Sequence, residues 1–182
     1  MTEAKKPFVV SIAAVSGGGK TTITEQLNKK LMNSKALFFD EYDLDGPSDI
    51  PTWVSNGSDY EEWDLTPLIE DLRKALAECH DFIVMDFPFA YKHSQARKFI
   101  DLAVFVDTPL DIALVRRMTR DHKNSSSKEL LIDMEQYISY GRRGYLEMLE
   151  TIRSNSDLII DGSLPVADVV NEIIYTLDET GD

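Results

Sequence analysis

Apolar positions fall into two rhythms along this chain. Short, nearly continuous apolar runs alternate with longer stretches in which apolar residues recur every three or four positions. Phe8-Val9-Val10-Ser11-Ile12-Ala13-Ala14-Val15 is the first run, and it reads as a strand buried on both faces. Ala36-Leu37-Phe38-Phe39 is a second strand ending at Asp40. Phe82-Ile83-Val84-Met85 is a third, ending at Asp86, and Leu102-Ala103-Val104-Phe105-Val106 a fourth, ending at Asp107. Leu158-Ile159-Ile160 is the fifth. Between them lie helical patterns: Lys20 to Met32 with Ile23, Leu27 and Leu31 on one face, and a helix opened by Thr66-Pro67 with Thr66 as its N-cap. Another is opened by Thr108-Pro109 and runs to about Asp121. A long helical region follows from about Glu129 to Ile152, and a last helix starts at Ser163-Leu164-Pro165. Strand alternating with helix predicts an α/β fold with a five-stranded parallel sheet and helices on both faces.

The segment between residues 41 and 63 breaks both rhythms. It is polar and turn-rich, with Gly46, Pro47, Pro51 and Gly57, and a long irregular stretch inside a small domain is often functional. Trp53, Tyr60 and Trp63 sit around it, either to stack on a ring-shaped ligand or to anchor the loop.

The chain has 182 residues, which suits one domain, 1–182, around one sizeable core. Its net charge of −13 works against binding a nucleic-acid backbone or an anionic membrane. A polyanionic ligand would need a local basic pocket, for which Arg116, Arg117, Arg120, Arg142 and Arg143 are candidates. The single cysteine, Cys79, allows no intrachain disulfide, and the polar N-terminal residues 1–7 lack the apolar stretch of a signal peptide. The expected address is cytoplasmic.

The most specific chemistry lies in Ala14-Val15-Ser16-Gly17-Gly18-Gly19-Lys20-Thr21, between the first strand and the first helix. The spacing is that of a Walker A loop, with alanine in place of the leading glycine. Ser16, Gly17, Gly18, Gly19, Lys20, Thr21 and Thr22 are the candidate triphosphate-binding residues. Glycines let the backbone approach a phosphate, and the amides at a helix N-terminus form an anion-binding nest. Lys20 brings a point charge to the outer phosphates, and the Thr21 hydroxyl suits Mg²⁺, which prefers oxygen ligands. These features define a P-loop NTPase with ATP and Mg²⁺ as its expected cofactors.

Two strand-end carboxylates fill the remaining positions. Asp86 follows an apolar strand in the Walker B manner and is expected to hold the metal with Thr21. Asp40 is placed to accept a proton from an attacking hydroxyl. Asp107 is expected to help cap a helix. Arg116, Arg117 and Arg120 follow at i, i+1 and i+4, so Arg116 and Arg120 share a face while Arg117 points about a quarter-turn away. Arg117 and Arg120, with Lys20 and Asp40, form the expected catalytic set, the alternative for the arginines being a solvated helix face. His80 and His93 are expected to be structural.

With these residues placed, the chain resembles the uridine kinase family, which includes phosphoribulokinase-like and nicotinamide riboside kinase-like members. The resemblance rests on Ile12-Ala13-Ala14-Val15-Ser16-Gly17-Gly18-Gly19-Lys20-Thr21-Thr22, on Phe38-Phe39-Asp40-Glu41-Tyr42, on Trp63-Asp64, and on Phe105-Val106-Asp107-Thr108-Pro109 with Arg116-Arg117-Met118-Thr119-Arg120-Asp121. Ser156-Asp157-Leu158-Ile159-Ile160 resembles the family's last strand. The resemblance implies transfer of the ATP γ-phosphate to a hydroxyl of a small nucleoside-like acceptor, with Asp40 as base and a lid over about residues 116–145. The chain departs from the family at Asp86-Phe87-Pro88, where glutamate-glycine is usual. It departs again at His122 to Lys128, where the family has an Arg-Gly-Arg stretch whose contacts Lys123 and Lys128 could supply. No nucleoside-binding pattern stands between Gly46 and Tyr60, so the acceptor's identity is open. A nucleotide kinase and an inactive nucleotide-binding regulatory protein are the alternatives. No nucleic-acid or membrane partner is expected, and self-association is open.

Overall fold

The computed structural model describes residues 6–180. The N-terminal residues 1–5, read above as polar, lie outside that span. Five parallel strands stand in the order β2-β3-β1-β4-β5: β1 is Phe8–Ala13, β2 Ser34–Phe38, β3 Phe82–Asp86, β4 Leu102–Asp107 and β5 Leu158–Asp161. Strand β1 is central, with Val10 opposite both Val84 and Leu102.

The apolar runs are continuous because both faces of the sheet are covered. Val9, Ala13, Ile83, Met85, Ala103 and Phe105 enter the core on one face. Val10, Ile12, Val84, Val104 and Val106 enter the core on the other. Neighbouring residues alternate sides, as the pleat requires. Helix α1 (Lys20–Lys30) and α8 (Val166–Thr180) cover the second face, through Ile23 and Leu27 from one and Val169, Val170, Ile173 and Leu177 from the other. On the first face lie α3 (Thr66–Ala77), α5 (Leu110–Asp121) and the segment ending in Ile152.

The predicted strands stand within a residue or two of the runs that suggested them, and the helical segments differ more. Residues 41–63 are not wholly irregular: α2 (Ile50–Ser55) and a 3₁₀ turn at Tyr60–Glu62 form within them. Asp49 accepts from the Thr52 amide at 3.0 Å and so caps α2. Thr66 is the first residue of α3 rather than its N-cap. The Asp64 carboxylate accepts from both its amide and its hydroxyl, an Asx turn that local pattern alone did not separate from a threonine cap. A four-residue helix, α4 (Ser94–Arg97), was not expected. The long helix is two, α6 (Ser127–Gln136) and α7 (Arg142–Thr151), joined by a π-helical turn at Tyr137–Gly141. Ser126 and Glu129 form a reciprocal capping box that starts α6. The last helix begins at Val166, after a turn in which Asp161 accepts from Ser163.

Candidate active site

The carboxyl ends of β1, β2, β3 and β4 meet at one edge of the sheet, where ligands bind in open α/β folds. The turn after β1 doubles back through a bond from the Gly18 amide to the Val15 carbonyl, 2.8 Å. Two glycines are needed for physical reasons. Gly17 (φ 81°) packs so closely on α5 that a Cβ would run into the Ala113 carbonyl. Gly19, at φ 100°, holds the left-handed conformation that opens α1. Thr108 fixes the turn from behind: its buried hydroxyl donates to the Gly18 carbonyl at 2.8 Å.

Lys20 and Thr21, the first residues of α1, converge on the end of β3. The Lys20 ammonium makes a close ion pair with Asp86 Oδ1, and the Thr21 hydroxyl donates to Asp86 Oδ2 at 2.7 Å. Asp86 is 2% exposed, so its charge is held in the protein interior by this pair and hydroxyl. Lys20 Nζ also lies 4.0 Å from Asp40 Oδ2. Asp40 sits not on the strand but in a 3₁₀ turn just past it, with 80% of its side chain exposed.

These groups border a cavity of about 700 Å³ lined by residues of the 14–22 segment with Phe39, Asp40, Pro88, Arg116, Arg120 and Met148. Two of the three α5 arginines therefore face it. Arg120 is bound by two nitrogens to Asp121, which keeps the guanidinium firmly charged, and Asp40 adds to that effect. Arg116 reaches the Gly162 carbonyl at 3.3 Å. Arg117 does not line this cavity. It pairs with Asp133 of α6 at 3.1 Å, and His122 Nε2 bonds the other Asp133 oxygen at 2.8 Å. The quarter-turn between Arg116 and Arg117 is what sends one to each side. Arg142, Arg143, Lys123 and Lys128 are exposed and line none of the cavities described. Asp107 forms an ion pair with Arg153 at 2.8 Å.

A second cavity, about 480 Å³, adjoins the first at Ser16 and Met148. Trp53, Tyr60, Trp63, Phe89, Tyr137 and Tyr145 line it, with Arg117, Asp133 and Glu147. The rings hold one another edge-on: Trp53 on Tyr60 at 5.1 Å, Tyr60 on Phe89 at 5.2 Å and Tyr137 on Tyr145 at 5.2 Å. Trp53 and Tyr60 are buried, so they anchor the loop, and the same rings wall the cavity. Tyr60 bonds Thr151 at 2.9 Å, and the Tyr145 hydroxyl donates to the Ser16 carbonyl at 3.0 Å. Burial pushes both phenols up, so each stays a neutral hydroxyl. His93 is a structural histidine, 1% exposed, bonded to the Trp63 carbonyl at 2.9 Å. Sequence reasoning read Thr108 only as part of a helix-opening pair, and it missed Tyr137, Tyr145 and Glu147, which carry no motif.

A nucleotide-cradling loop on a five-stranded parallel sheet, joined to a separate cavity beside its outer end, defines a P-loop kinase. The adenylylsulphate kinase family model matches residues 6–130, and the chain belongs to that family. It is a phosphotransferase whose acceptor group is an alcohol. The match ends inside α6, so Tyr137, Tyr145 and Glu147 lie beyond it. Curated relatives include a uridine kinase of Staphylococcus haemolyticus, 29% identical over 93% of this chain and 96% of its own length. A uridine kinase of Anoxybacillus flavithermus is 26% identical over 86% of each. Among solved structures, a gluconokinase from Sinorhizobium meliloti superposes with a TM-score of 0.55 at 20% identity, covering 97% of this chain and 94% of that one. A deoxyadenosine kinase from M. mycoides superposes with 0.56 at 16% identity, covering 94% and 100%. These likenesses speak for the fold. Among the described residues no helix is long and apolar enough to cross a membrane.

Proposed function

We propose that this protein transfers the γ-phosphate of ATP to a hydroxyl of a small nucleoside-like molecule. The observation that carries the reading is the position of Asp40. It shares a cavity with Lys20 and the loop amides, and that cavity opens beside an aromatic one of a size to hold a ring. The loop amides and Lys20 hold the donor's phosphates. A smaller cavity of about 220 Å³ behind the loop, bounded by Thr22, Arg116, Gly162, Leu164 and Val166, suits the donor's base. Asp40 takes the proton from the acceptor hydroxyl as its oxygen attacks the γ-phosphorus, and ADP leaves. Arg120 and Arg116 offset the charge spread over the transferring oxygens. Arg117 enters this scheme from the acceptor side, with about residues 116–145, from within α5 to the start of α7, as the lid.

Thr21 and Asp86 are hard oxygen donors side by side next to the phosphate loop, a set that fits Mg²⁺. An ion that keeps several waters and takes other ligands from the phosphates needs no more than such a pair from the protein. Bound there, Mg²⁺ would neutralise phosphate charge. In this reading the protein works in the cytoplasm, without nucleic-acid or membrane partners. The test is a screen of nucleosides, vitamins and sugar phosphates with γ-labelled ATP, with and without Mg²⁺. A labelled acceptor that requires the metal is the expected result. ATP binding with no acceptor labelled would overturn the kinase in favour of an inactive binder.

A further inference from the structure

The aromatic cavity has a charge balance that constrains what it can hold. Among the described residues Arg117 is its one lining cation, and Arg117 is already committed: Asp133 sits at 3.1 Å, drawn also to His122. The Asp133 carboxyl, though burial opposes it, is held below the usual range by hydrogen bonds from His122 and Arg117, so it stays ionised and cancels the arginine. Glu147 is different. It is half-buried on α7 and lines the cavity, and no ion pair or side-chain hydrogen bond engages its carboxylate among the described residues. Its charge is felt inside, where it helps to push the Tyr60 hydroxyl up. The walls thus combine aromatic rings, a neutralised arginine pair and one unpaired carboxylate.

We infer that this cavity selects an aromatic acceptor by charge, favouring a ring that bears positive charge over a neutral one and rejecting one that bears an anionic group. This deepens the kinase reading and rests on it for the word acceptor. The physical basis is twofold. Aromatic faces attract cations through their quadrupole, and the attraction grows when water is excluded. An unpaired carboxylate in the same enclosure attracts a cation and repels an anion, with less screening than at the surface. An acceptor carrying phosphate, sulfate or carboxylate would meet no uncommitted cation there. Adenylylsulphate, the substrate in the family's name, is such an anion, and the π turn and helix that carry Tyr137, Tyr145 and Glu147 lie outside the family match. Glu147 is therefore the specificity-determining residue.

The chain's two tryptophans, Trp53 and Trp63, both line this cavity, so intrinsic fluorescence reports its occupancy without turnover. The experiment titrates the intact protein, without ATP, with three ribosides: an N-linked pyridinium riboside, uridine and the carboxylated pyrimidine riboside orotidine. We expect saturable fluorescence changes with affinity falling in that order, by about tenfold from cation to neutral ring. Glu147→Gln should bring the cation-to-neutral ratio towards one, and Glu147→Asp should keep the preference. Equal affinity for the carboxylated riboside, no saturable binding by any of the three, or an unchanged ratio in Glu147→Gln would overturn the inference. ADP release measured alongside separates the two proposals. Ordered binding without turnover sinks the kinase and leaves the selectivity standing. Turnover of orotidine as fast as the others does the reverse.

Discussion

The phosphate cavity and the aromatic cavity touch, yet they are built by opposite means. The first is mostly backbone: consecutive amides of one turn, with Lys20 and Thr21 locked onto Asp86. The second is mostly side chains, brought together from loop, turn and helix over long separations. Tyr60 and its partner Thr151 stand 91 positions apart. A site made of backbone needs glycine and a helix start, which leave a recognisable string. A site made of rings needs only bulk in the right places, which many sequences supply. The difference predicts that the first should fail by single substitutions and the second by degrees.

Substitution of Lys20 is the severest test of the first half. Lys20→Ala should abolish Mg-ATP binding and turnover, by calorimetry and ADP release, while the aromatic cavity still reports ligand by fluorescence. Parental ATP affinity in this variant would end the phosphate-loop assignment. Asp86→Ala should cost stability as well, about 1–3 kcal/mol, because it leaves the partly buried Lys20 ammonium and the Thr21 hydroxyl without their partner; denaturant melts measure it. Next comes Asp40→Asn, expected to slow transfer by about 10²–10⁴-fold and to spare ATP affinity. Asp40 is so exposed that folding should not change, and a parental kcat would mean that the base lies elsewhere.

The arginines sharpen the boundary between the cavities. Arg120→Ala should lower kcat by about tenfold, corresponding to a loss of about 1.4 kcal/mol of transition-state stabilisation. Arg117→Ala should chiefly alter the acceptor KM, since Arg117 faces the aromatic side. The reverse assignment would erase the distinction. The smallest effect is thermal. The Asp133 carboxyl is held below its ordinary range, so its contribution is present above the unfolded-state value, about 3.9, and is lost as pH falls through the lower folded value. Asp133→Asn should lower Tm slightly near neutral pH, and the gap should close on acidification below about pH 4. A gap that persists in acid would mean that the pair contributes nothing electrostatic.

Much of this was legible in the sequence for a local reason. The alternation of core faces along β1 and β4 follows from the pleat, and the loop follows from its own eight residues. The strand-end carboxylates were placed near the loop because every parallel strand ends on the same edge. What escaped were decisions made in three dimensions. Whether Arg116 or Arg117 faces the cavity beside Lys20 depends on how α5 is rolled against Gly17. The π turn at Tyr137–Gly141 adds a residue to one helical turn without any proline or glycine run to announce it. Thr108 read as a helix opener, whereas its hydroxyl is spent on the loop carbonyl 90 positions earlier.

One feature of the second sheet face bears on how the protein is made. Helix α1 starts at Lys20 of the candidate phosphate loop, yet its buried side, Ile23 and Leu27, packs with Val169, Val170, Ile173 and Leu177 of α8, and Lys30 bonds Asn171 at 2.8 Å. The loop is synthesised first, and Asn171 follows Lys30 by 141 residues. A nascent chain leaving the ribosome will carry the loop through that whole interval without the helix that braces it. Nucleotide should therefore protect the finished protein from proteolysis but give little protection to chains shortened before Val169.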